Sequence, residues 1–512
     1  MSWDNVEGRT NQRYVHGFLF LADWHTTVLR EDAAAVEVCA DMLGKWATHH
    51  PVPAEASQVL EMAFHDETTA QRALHASALV IEHWQDLSSE SQSSLAVMVE
   101  EHAALLASDW FYAGQNNHGM FQDFALVALA LAAESTSTLD ATQISSYAEL
   151  AAIRLTAYFT ESFTSDGVHT ENSPGYHLMA ARCLRDALPV IQHLLPHQAV
   201  ALNRIYAGAE EYAVHSILPN GRLAPLSDTK QFKVWSSNHS DTFLGNAFRS
   251  SMTCGRYGTK PAERVGIFPE AGYAIYRSRW SDPHAIWLLF KAGYRANYHH
   301  HCDDLSLLYY KDGDLVLSEA GPFGYEHQNP LTRYAFSQWA HNNIVVDGRS
   351  LTRVDPEPGG VSFRNLTGQH KQRNRVMEVQ GVNRRRSEWT HKRTLTVTEN
   401  WGTRPQTTDT SVVDQLTFAD QAQHRFECLW HAGPGISIEI QDGCTAQFLK
   451  KGQPVLTMAW TASTPMEANI LTGADTNPPR SARFPTFGKV EPGAVLSLAG
   501  RGAHLDMTTR IT

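Results

Sequence analysis

The stretch SMTCGRYGTKPAERVG, residues 251–266, separates two different sequence patterns. Before it, Ala- and Leu-rich segments space their apolar residues three and four apart, which is typical of amphipathic helices. After it, short segments rich in β-branched and aromatic residues end in Gly, Asp or Asn, which is typical of strands. We therefore predict a helical domain over residues 1–255 and a β domain over residues 256–512.

Each side of this stretch predicts its own architecture. Before it, segments such as EDAAAVEVCADMLGKWA (31–47) and SQSSLAVMVEEHAALLA (91–107) follow one another through short connections. That succession predicts an array of paired helices, an incomplete (α/α) toroid. After it, strand-like segments such as AIWLLFKAGY (285–294) and AVLSLAG (494–500) alternate with turn signals. That alternation predicts an antiparallel β-sandwich, so the fold class is α+β and multidomain.

Composition narrows the classes of function. The 512 residues carry a formal net charge of −12, which argues against general nucleic-acid binding. An acidic protein can still bind an acidic polymer where its positive charge is locally focused. The six cysteines show no CxxC spacing, so the sequence predicts neither a thiolate zinc knuckle nor a disulfide framework.

The amino terminus, MSWDNVEGRTNQRY, has no basic stretch followed by an apolar core. We therefore expect no signal peptide and a cytoplasmic protein, or a periplasmic or secreted one if a signal has been removed. No apolar run approaches the length that spans a bilayer, so we expect no membrane partner.

Asn116, Asn117 and His118 precede Gly119 at the apparent start of a helix. Two amides and an imidazole at the positive end of a helix dipole can bind a carboxylate. Asn is also a favoured helix N-cap, so capping alone would explain the pattern as well. The residues leave both interpretations open.

A second cluster, ENSPGYH over residues 171–177, places Pro174 and Gly175 in a turn before a helical segment. Such a turn would hold the Tyr176 phenol at a fixed position. Because the ordinary pKa of tyrosine is about 10, nearby positive charge or a metal would be needed to make it a base. The alternative is a tyrosine packed against the helix with its hydroxyl hydrogen-bonded.

The densest cluster is YHHHCDDLS, residues 298–306. On an extended segment alternate side chains share a face, so we expect His299, His301 and Asp303 together and His300 opposite. Two imidazoles and a carboxylate suit a metal or a proton-transfer site. A solvent-exposed or packed histidine run is the alternative.

Two residues further along could join this cluster. Glu319 and His341 each lie on or beside a predicted strand. Two imidazoles with one carboxylate make a zinc-type ligand set.

Basic residues are frequent between residues 371 and 393. They are Lys371, Arg373, Arg375, Arg384, Arg385, Arg386, Lys392 and Arg393. Basic side chains alternating along strands could line a cleft for an anionic glycan. A solvated strand face explains any one of them equally well.

Taken in order, these motifs resemble the heparinase II/III-like polysaccharide lyases, a family that includes several alginate lyases. The resemblance rests on NNHG (116–119), ENSPGYH (171–177), HHHCDDLSLLYYKDGDLVLSEAGPFGYE (299–326) and RYAFSQWAHNNIVVDG (333–348). The resemblance covers most of the chain between about residues 110 and 400, which is where these motifs lie. It implies an (α/α) toroid followed by an antiparallel β-sandwich.

The resemblance also implies catalytic and substrate-binding roles. Asn117 and His118 would lie at the substrate carboxylate, Tyr176 would be the catalytic tyrosine and His299 the catalytic histidine. Residues within or beside the same motifs are expected to bind substrate: Asn116, Glu171, Asn172, Tyr325 and Arg333.

A structural divalent metal, usually zinc, is the cofactor that the resemblance implies. His301, Glu319 and His341 would hold it. Glu319 stands where the family commonly has Asp, and glutamate reaches further, so manganese or calcium is also compatible. We expect this metal to orient His299 without touching the substrate.

The activity implied is β-elimination on a uronic-acid-containing polysaccharide or oligosaccharide. Heparan sulfate, chondroitin sulfate, hyaluronan and alginate are all candidate substrates. Tyr176 would be the acid, and for some uronate epimers also the base; His299 or His118 would be the base for the other epimer.

Three alternatives stay open from the sequence. They are a non-catalytic glycan-binding protein, a metal-dependent hydrolase built on His299, His301 and Asp303, and a glycosidase. A glycosidase needs two facing carboxylates, and nothing in the sequence pairs Glu171 with Asp228.

Overall fold

The structure is a computed structural model that describes residues 3, 6–26, 28–58, 62–368, 374–400, 407–473 and 479–512. This part of the chain forms eleven α-helices, and all but the last precede the first strand. They are α1 (Arg9–His16), α2 (Leu21–Thr26), α3 (Ala33–His49), α4 (Asp66–His83), α5 (Ser89–Ala107), α6 (Asn117–Thr136), α7 (Ala141–Ser162), α8 (Pro174–Leu194), α9 (Pro196–Ser216), α10 (Asn246–Met252) and α11 (Pro330–Phe336).

Strands follow from Val265 onward. They are β1 (Val265–Phe268), β2 (Tyr273–Arg277), β3 (Trp287–Lys291), β4 (Leu307–Lys311), β5 (Asp314–Leu317), β6 (Ile344–Val346), β7 (Val361–Asn365), β8 (Arg375–Asn383), β9 (Trp389–Asn400), β10 (Thr407–Phe418), β11 (His424–His431), β12 (Ile436–Asp442), β13 (Thr445–Lys450), β14 (Gln453–Ala462), β15 (Glu467–Thr472), β16 (Ala482–Arg483), β17 (Glu491–Pro492), β18 (Ala494–Gly502) and β19 (His504–Ile511).

The helices begin where capping residues stand. The side chains of Asp32, Ser88 and Asn116 accept hydrogen bonds from backbone N–H groups in the first turns of α3, α5 and α6. Those N–H groups have no partner inside the helix, so each cap stabilises the start of its helix by about 1 kcal/mol. None of the helices in the described part of the chain is long and apolar enough to cross a membrane.

The strands pair antiparallel in four sheets. Their orders are β1-β2-β3-β4-β5, β12-β13-β14-β19-β10-β9-β8-β7, β15-β18-β11-β6 and β16-β17. Burial alternates residue by residue along β9, as it does in a sheet with one face in a core. Leu288, Leu395 and Trp430, from the three larger sheets, belong to one buried apolar cluster.

The chain divides into two compact units. Unit 1 comprises Met1–Glu161 and Asp186–Asn203, and unit 2 comprises Ser162–Arg185 and Arg204–Thr512. The change from helices to strands lies between Met252 and Val265, and the predicted order of helical and then antiparallel β structure is confirmed. The predicted domain boundary at residue 255 stays a prediction.

Candidate active site

Tyr176 lies in the first turn of α8, in unit 2. Pro174 begins this helix, where its missing N–H costs nothing. The Thr229 hydroxyl accepts from Gly175 N at 2.9 Å and lies 2.7 Å from the Ser173 hydroxyl. Pro174 and Gly175 therefore lie in the helix itself, so the predicted turn before the helix is wrong at these residues, and the first turn of α8 is tied to the loop that contains Thr229.

Residues 298–306 form a loop, so the predicted extended segment is wrong. His299 has a φ of 51°, in the left-handed region that non-glycine residues rarely adopt. Such a conformation costs about 1–3 kcal/mol and persists where the surroundings hold it. Asn172 contributes here, because its amide donates to Ala296 O at 2.8 Å and to Tyr298 O at 3.1 Å.

Tyr176 and His299 lie face to face. Their ring centroids are 3.4 Å apart and the planes are inclined by 18°. The Tyr176 hydroxyl lies 3.3 Å from that of Tyr325, and the Tyr325 ring lies edge-on to His299. The structure therefore brings three of the predicted site residues together.

A cavity of about 550 Å³ opens beside this group, within the size range of small-molecule sites. Residues from two segments of unit 2 and two aromatic side chains line it: Tyr176, Met179, Asp228, Lys230, Phe232, Lys233, His239, Tyr325 and Phe487. The two lysines are exposed, and neither forms an ion pair with a described carboxylate.

Asp228, which the sequence offered only as a carboxylate for a glycosidase, is the main additional residue of this site. Its carboxylate Oδ2 lies 2.9 Å from His299 Nδ1, and Oδ1 lies 2.8 Å from His301 Nε2. Burial alone would raise the pKa of Asp228, but hydrogen bonds from the two imidazoles outweigh it and hold that pKa below its usual value. Asp228 follows Ser227 in a segment without a recognisable motif, so no sequence signal marks it.

The pKa of Tyr176 is shifted in the opposite direction to the one a base would need. Burial raises it most, the Tyr325 hydrogen bond lowers it by less than burial raises it, and the negative charges of Asp228 and Glu171 raise it further. Tyr176 is therefore protonated at neutral pH, which suits a proton donor.

The predicted metal ligands converge in unit 2. Glu319 Oε2 lies 3.2 Å from His341 Nδ1, and the rings of His301 and His341 are 5.4 Å apart. All three side chains are buried, and His431, which the sequence did not single out, is buried close to His341.

The donor types of this set, imidazole and carboxylate, are those that a divalent metal such as zinc takes. In the described part of the chain, no well-formed hydrogen bond satisfies His301 Nδ1, the Glu319 oxygens, the His341 nitrogens or His431 Nε2. Unpaired buried polar atoms cost about 1–3 kcal/mol each, and a cation would satisfy several at once. His301 Nε2 meanwhile contacts Asp228, the arrangement of a ligating histidine backed by a carboxylate.

The predicted hydrolase cluster does not form. Asp303 pairs with Lys291 Nζ at 2.5 Å and accepts from the Ser227 hydroxyl, and all three groups are buried. The carboxylate that His299 and His301 share is Asp228 instead. His300 is on the other side, as predicted, where its ring stacks on Tyr294 and lies 2.9 Å from Arg353 O.

Two arginines of the basic segment have structural roles. Arg385 bridges Asp304 and Asp355, and Arg393 pairs with Asp414, in both cases with an almost fully buried guanidinium. These partners were invisible in the sequence because they lie on other segments. The prediction that these two arginines line a glycan cleft is wrong, and Lys371 and Arg373 lie outside the described residues.

Asn116, Asn117 and His118 belong to unit 1 and form a group of their own. Asn116 Oδ1 caps α6 by accepting from His118 N and Gly119 N, so capping accounts for its position. The Tyr158 hydroxyl donates to Asn117 Oδ1 at 2.5 Å, which orients that amide. His118 Nδ1 lies 2.9 Å from Asp66 Oδ1, a partner that the sequence did not predict.

The other predicted substrate-binding residues have different surroundings. Glu171 Oε2 lies 3.6 Å from His299 Nε2, at the site. Asn172 is buried and uses its amide to hold the loop before His299. Arg333 is exposed on α11, and its role stays a prediction.

Residues 260–512 match the family described as heparinase II/III-like, C-terminal. The carboxyl-terminal half of the chain belongs to this family. Among curated proteins, no sequence match was found.

Solved structures match the whole of this chain. A crystal structure of heparinase III matches with a TM-score of 0.77 and 12% identity, over 100% of this chain and 79% of that one. A heparan sulfate lyase from Pedobacter heparinus matches with a TM-score of 0.71 and 14% identity, over 100% and 78%. The chain therefore has the predicted fold class, and the family of its carboxyl-terminal half together with this fold indicates a polysaccharide lyase.

Proposed function

We propose that this protein cleaves uronic-acid-containing glycans by β-elimination and releases unsaturated oligosaccharides. The observation that carries the proposal is the stack of Tyr176 on His299, with His299 anchored through Nδ1 on Asp228. The stack supplies a protonated phenol and an imidazole side by side, and β-elimination needs one acid and one base.

In this proposal His299 is the base. Its Nε2 takes the proton from carbon 5 of the uronate, and the electron pair left behind forms the double bond between carbons 4 and 5. Glu171, 3.6 Å from the same nitrogen, would stabilise the imidazolium that results.

Tyr176 is the acid. As the bond between carbon 4 and its oxygen breaks, the phenol gives its proton to the leaving oxygen. The raised pKa of Tyr176 supports this assignment, because the hydroxyl holds its proton until charge develops on that oxygen. The Tyr325 hydroxyl, 3.3 Å away, can then stabilise the phenolate.

Asn117 and His118, in unit 1, are proposed to bind a uronate carboxylate, which positioned donors at the start of a helix can do. The pKa of His118 is raised, chiefly by its hydrogen bond with Asp66, which favours the cationic form that binds a carboxylate best.

His301, Glu319 and His341 would hold the structural metal, with His431 beside them. Zinc fits two or three imidazoles and a carboxylate, and the bound cation would fix the positions of the segments that carry its ligands. The elimination itself is carried by the side chains named above.

An acidic glycan is the substrate class that the cavity favours. Lys230 lies 4.5 Å above the Phe487 ring, and Lys233 is on the same cavity wall. Two exposed cations, one of them over an aromatic ring, suit a sugar chain that carries carboxylate or sulfate groups.

The direct test is incubation with heparan sulfate, chondroitin sulfate, hyaluronan and alginate, and with oligosaccharides of each, while following ultraviolet absorbance of the unsaturated product. A rise on at least one substrate supports the proposal. No rise on any of them contradicts it. New reducing ends without the chromophore would indicate hydrolysis by Glu171 and Asp228.

Tyr176→Phe separates catalysis from binding in the same assay. We expect kcat to fall about 100- to 10,000-fold with the fold intact, as for loss of a general acid. Tyr257→Phe is the control, because Tyr257 is an exposed tyrosine stacked on Trp235 outside the cavity. If Tyr176→Phe keeps full activity, the catalytic assignment is wrong.

A further inference from the structure

Asp228 uses both of its oxygen atoms on histidines with different tasks. Oδ2 contacts Nδ1 of His299, and Oδ1 contacts Nε2 of His301, at 2.9 and 2.8 Å. Its side chain is fully buried, so these two contacts replace hydration of the carboxylate.

The two contacts determine the tautomer of each imidazole. An ionised carboxylate only accepts hydrogen bonds, so His299 must carry hydrogen on Nδ1 and His301 must carry hydrogen on Nε2. A neutral imidazole has one N–H, which leaves the lone pairs on His299 Nε2 and on His301 Nδ1. The first is the nitrogen proposed as base, and the second belongs to the metal-binding set.

The backbone holds Asp228 firmly in place. Ser227 has a φ of 51°, and its hydroxyl donates to Asp303 at 2.5 Å. On the other side, Thr229 is bonded to Ser173 and Gly175, in the turn that carries Tyr176. A displacement of Asp228 would disturb both attachments.

We propose that Asp228 is a positioning residue that couples the metal-binding set to His299. Binding of a cation at His301 Nδ1 fixes the His301 ring, which fixes Asp228 and thereby holds His299 with its Nε2 lone pair exposed. The inference rests on the proposed function for the role of His299, and on the fit of His301 and Glu319 to a metal.

Asp228→Asn is the discriminating variant because it keeps the shape and changes the pattern of donors. The asparagine oxygen can accept from one imidazole, but its NH₂ group must donate to the other. That second imidazole has to move its hydrogen to the opposite nitrogen. Either His301 loses the lone pair that would bind metal, or His299 loses the one that would take a proton. In both cases His301 also loses the negative charge that makes it a more basic ligand, so metal affinity falls.

The measurements are Zn²⁺ affinity, by competition with a chelating dye, and kcat and KM on a cleaved uronate glycan. In Asp228→Asn we expect Zn²⁺ affinity to fall about 10- to 100-fold. We expect kcat to fall on the order of 100- to 10,000-fold, as when a carboxylate that sets a catalytic tautomer is replaced, with KM changed by less than about threefold. Removing Zn²⁺ should lower kcat of the wild type but cause no further loss in the variant.

Asp347→Asn is the control, since Asp347 contacts His424 Nδ1 at 2.8 Å elsewhere in unit 2. It should leave Zn²⁺ affinity and kcat unchanged. If Asp228→Asn does not fold, His299→Ala is the second variant, because its position is partly exposed. It should weaken Zn²⁺ binding several-fold, as happens when a residue that supports the metal ligands is removed.

Three results would overturn the coupling: a wild type that binds no Zn²⁺, an Asp228→Asn variant with unchanged Zn²⁺ affinity, or equal loss of kcat on Zn²⁺ removal in wild type and variant. The Zn²⁺ measurements need no substrate. A chain that cleaves no uronate glycan therefore contradicts the proposed function while the metal half of the coupling is still tested.

Discussion

His118 is surrounded by charged groups from α1, from α4 and from the residue before α4, all in unit 1. Asp66 lies 2.9 Å from its Nδ1 and Glu67 4.0 Å from its Nε2, both on α4. The hydrogen bond with Asp66 raises the pKa of His118, Glu67 adds to this, and partial burial and Arg13 on α1 oppose it. His65 also lies 2.9 Å from the same Asp66 oxygen. The imidazolium form of His118 therefore persists above the usual pKa of 6.5 and is lost as pH rises through the raised value.

Replacing Asp66 should lower the pH up to which His118 stays cationic. Asp66→Asn eliminates the charge that raises the pKa of His118, so the imidazolium is lost at lower pH. If His118 binds the uronate carboxylate, the alkaline rise of KM moves to lower pH, and KM above pH 6.5 increases on the order of 10-fold, as for one hydrogen bond to a charged group.

The measurement is KM and kcat between pH 5 and 9. Asp41→Asn is the matched control, because Asp41 pairs with Lys45 on the exposed face of α3. A KM profile of Asp66→Asn that coincides with the wild type would exclude this role for Asp66.

Local motifs identified the chemistry-bearing residues but not their partners. Tyr176 and His299 were predicted because unusual residues stand close together in the sequence around them. The contacts of Asp228 and Asp66 with histidines were missed because each is a single carboxylate whose importance comes from contacts across 71 and 52 residues. Arg385 and Arg393 were misassigned for the same reason, since their buried partners lie on distant segments.

At the scale of elements, the prediction worked best where periodicity is long. The long helices α3 to α7 and strands such as β9 have many residues repeating one pattern, so burial of one face follows from the sequence. The 298–306 loop has no such repeated pattern. Three adjacent histidines and a tyrosine suggest a strand, yet ties to Asn172 and Lys291 determine the backbone there.

Asn172 gives that loop its shape, so its replacement should act on fold and site together. Its φ of 62° suits Asn or Gly, and its amide satisfies two backbone carbonyls at residues 296 and 298. Asn172→Ala should lower the free energy of unfolding by about 2–5 kcal/mol, the sum of two unpaired acceptors and one strained residue. It should also lower kcat, because His299 follows directly.

Urea unfolding checks this, with Asn172→Gly as the matched variant. Glycine loses the same hydrogen bonds but accepts the positive φ, so it should be more stable than the alanine variant by about 1 kcal/mol. Equal stability of alanine variant and wild type would show that these bonds do not hold the loop.

At the scale of the whole molecule, the negative net charge of the protein opposes binding of an acidic substrate. The formal net charge of −12 repels a polyanion, and the two cavity lysines must attract it locally. Salt weakens both effects, because charges further apart than about 10 Å are largely screened at 0.1 M. Since the attraction at Lys230 and Lys233 acts at contact range on the bound chain, it should dominate KM at low salt.

The double variant Lys230→Gln/Lys233→Gln should therefore raise KM for an acidic glycan about 5- to 20-fold at low salt, at about 0.5–1 kcal/mol per exposed charge pair. The sign of the salt dependence should also change. In the wild type added salt weakens attraction and raises KM, whereas in the variant it mainly screens the remaining repulsion and lowers KM. Lys260→Gln/Lys451→Gln changes the net charge equally at exposed positions outside the cavity, and should keep the wild-type trend. KM that rises with salt in both double variants would mean that substrate attraction is not centred on this cavity wall.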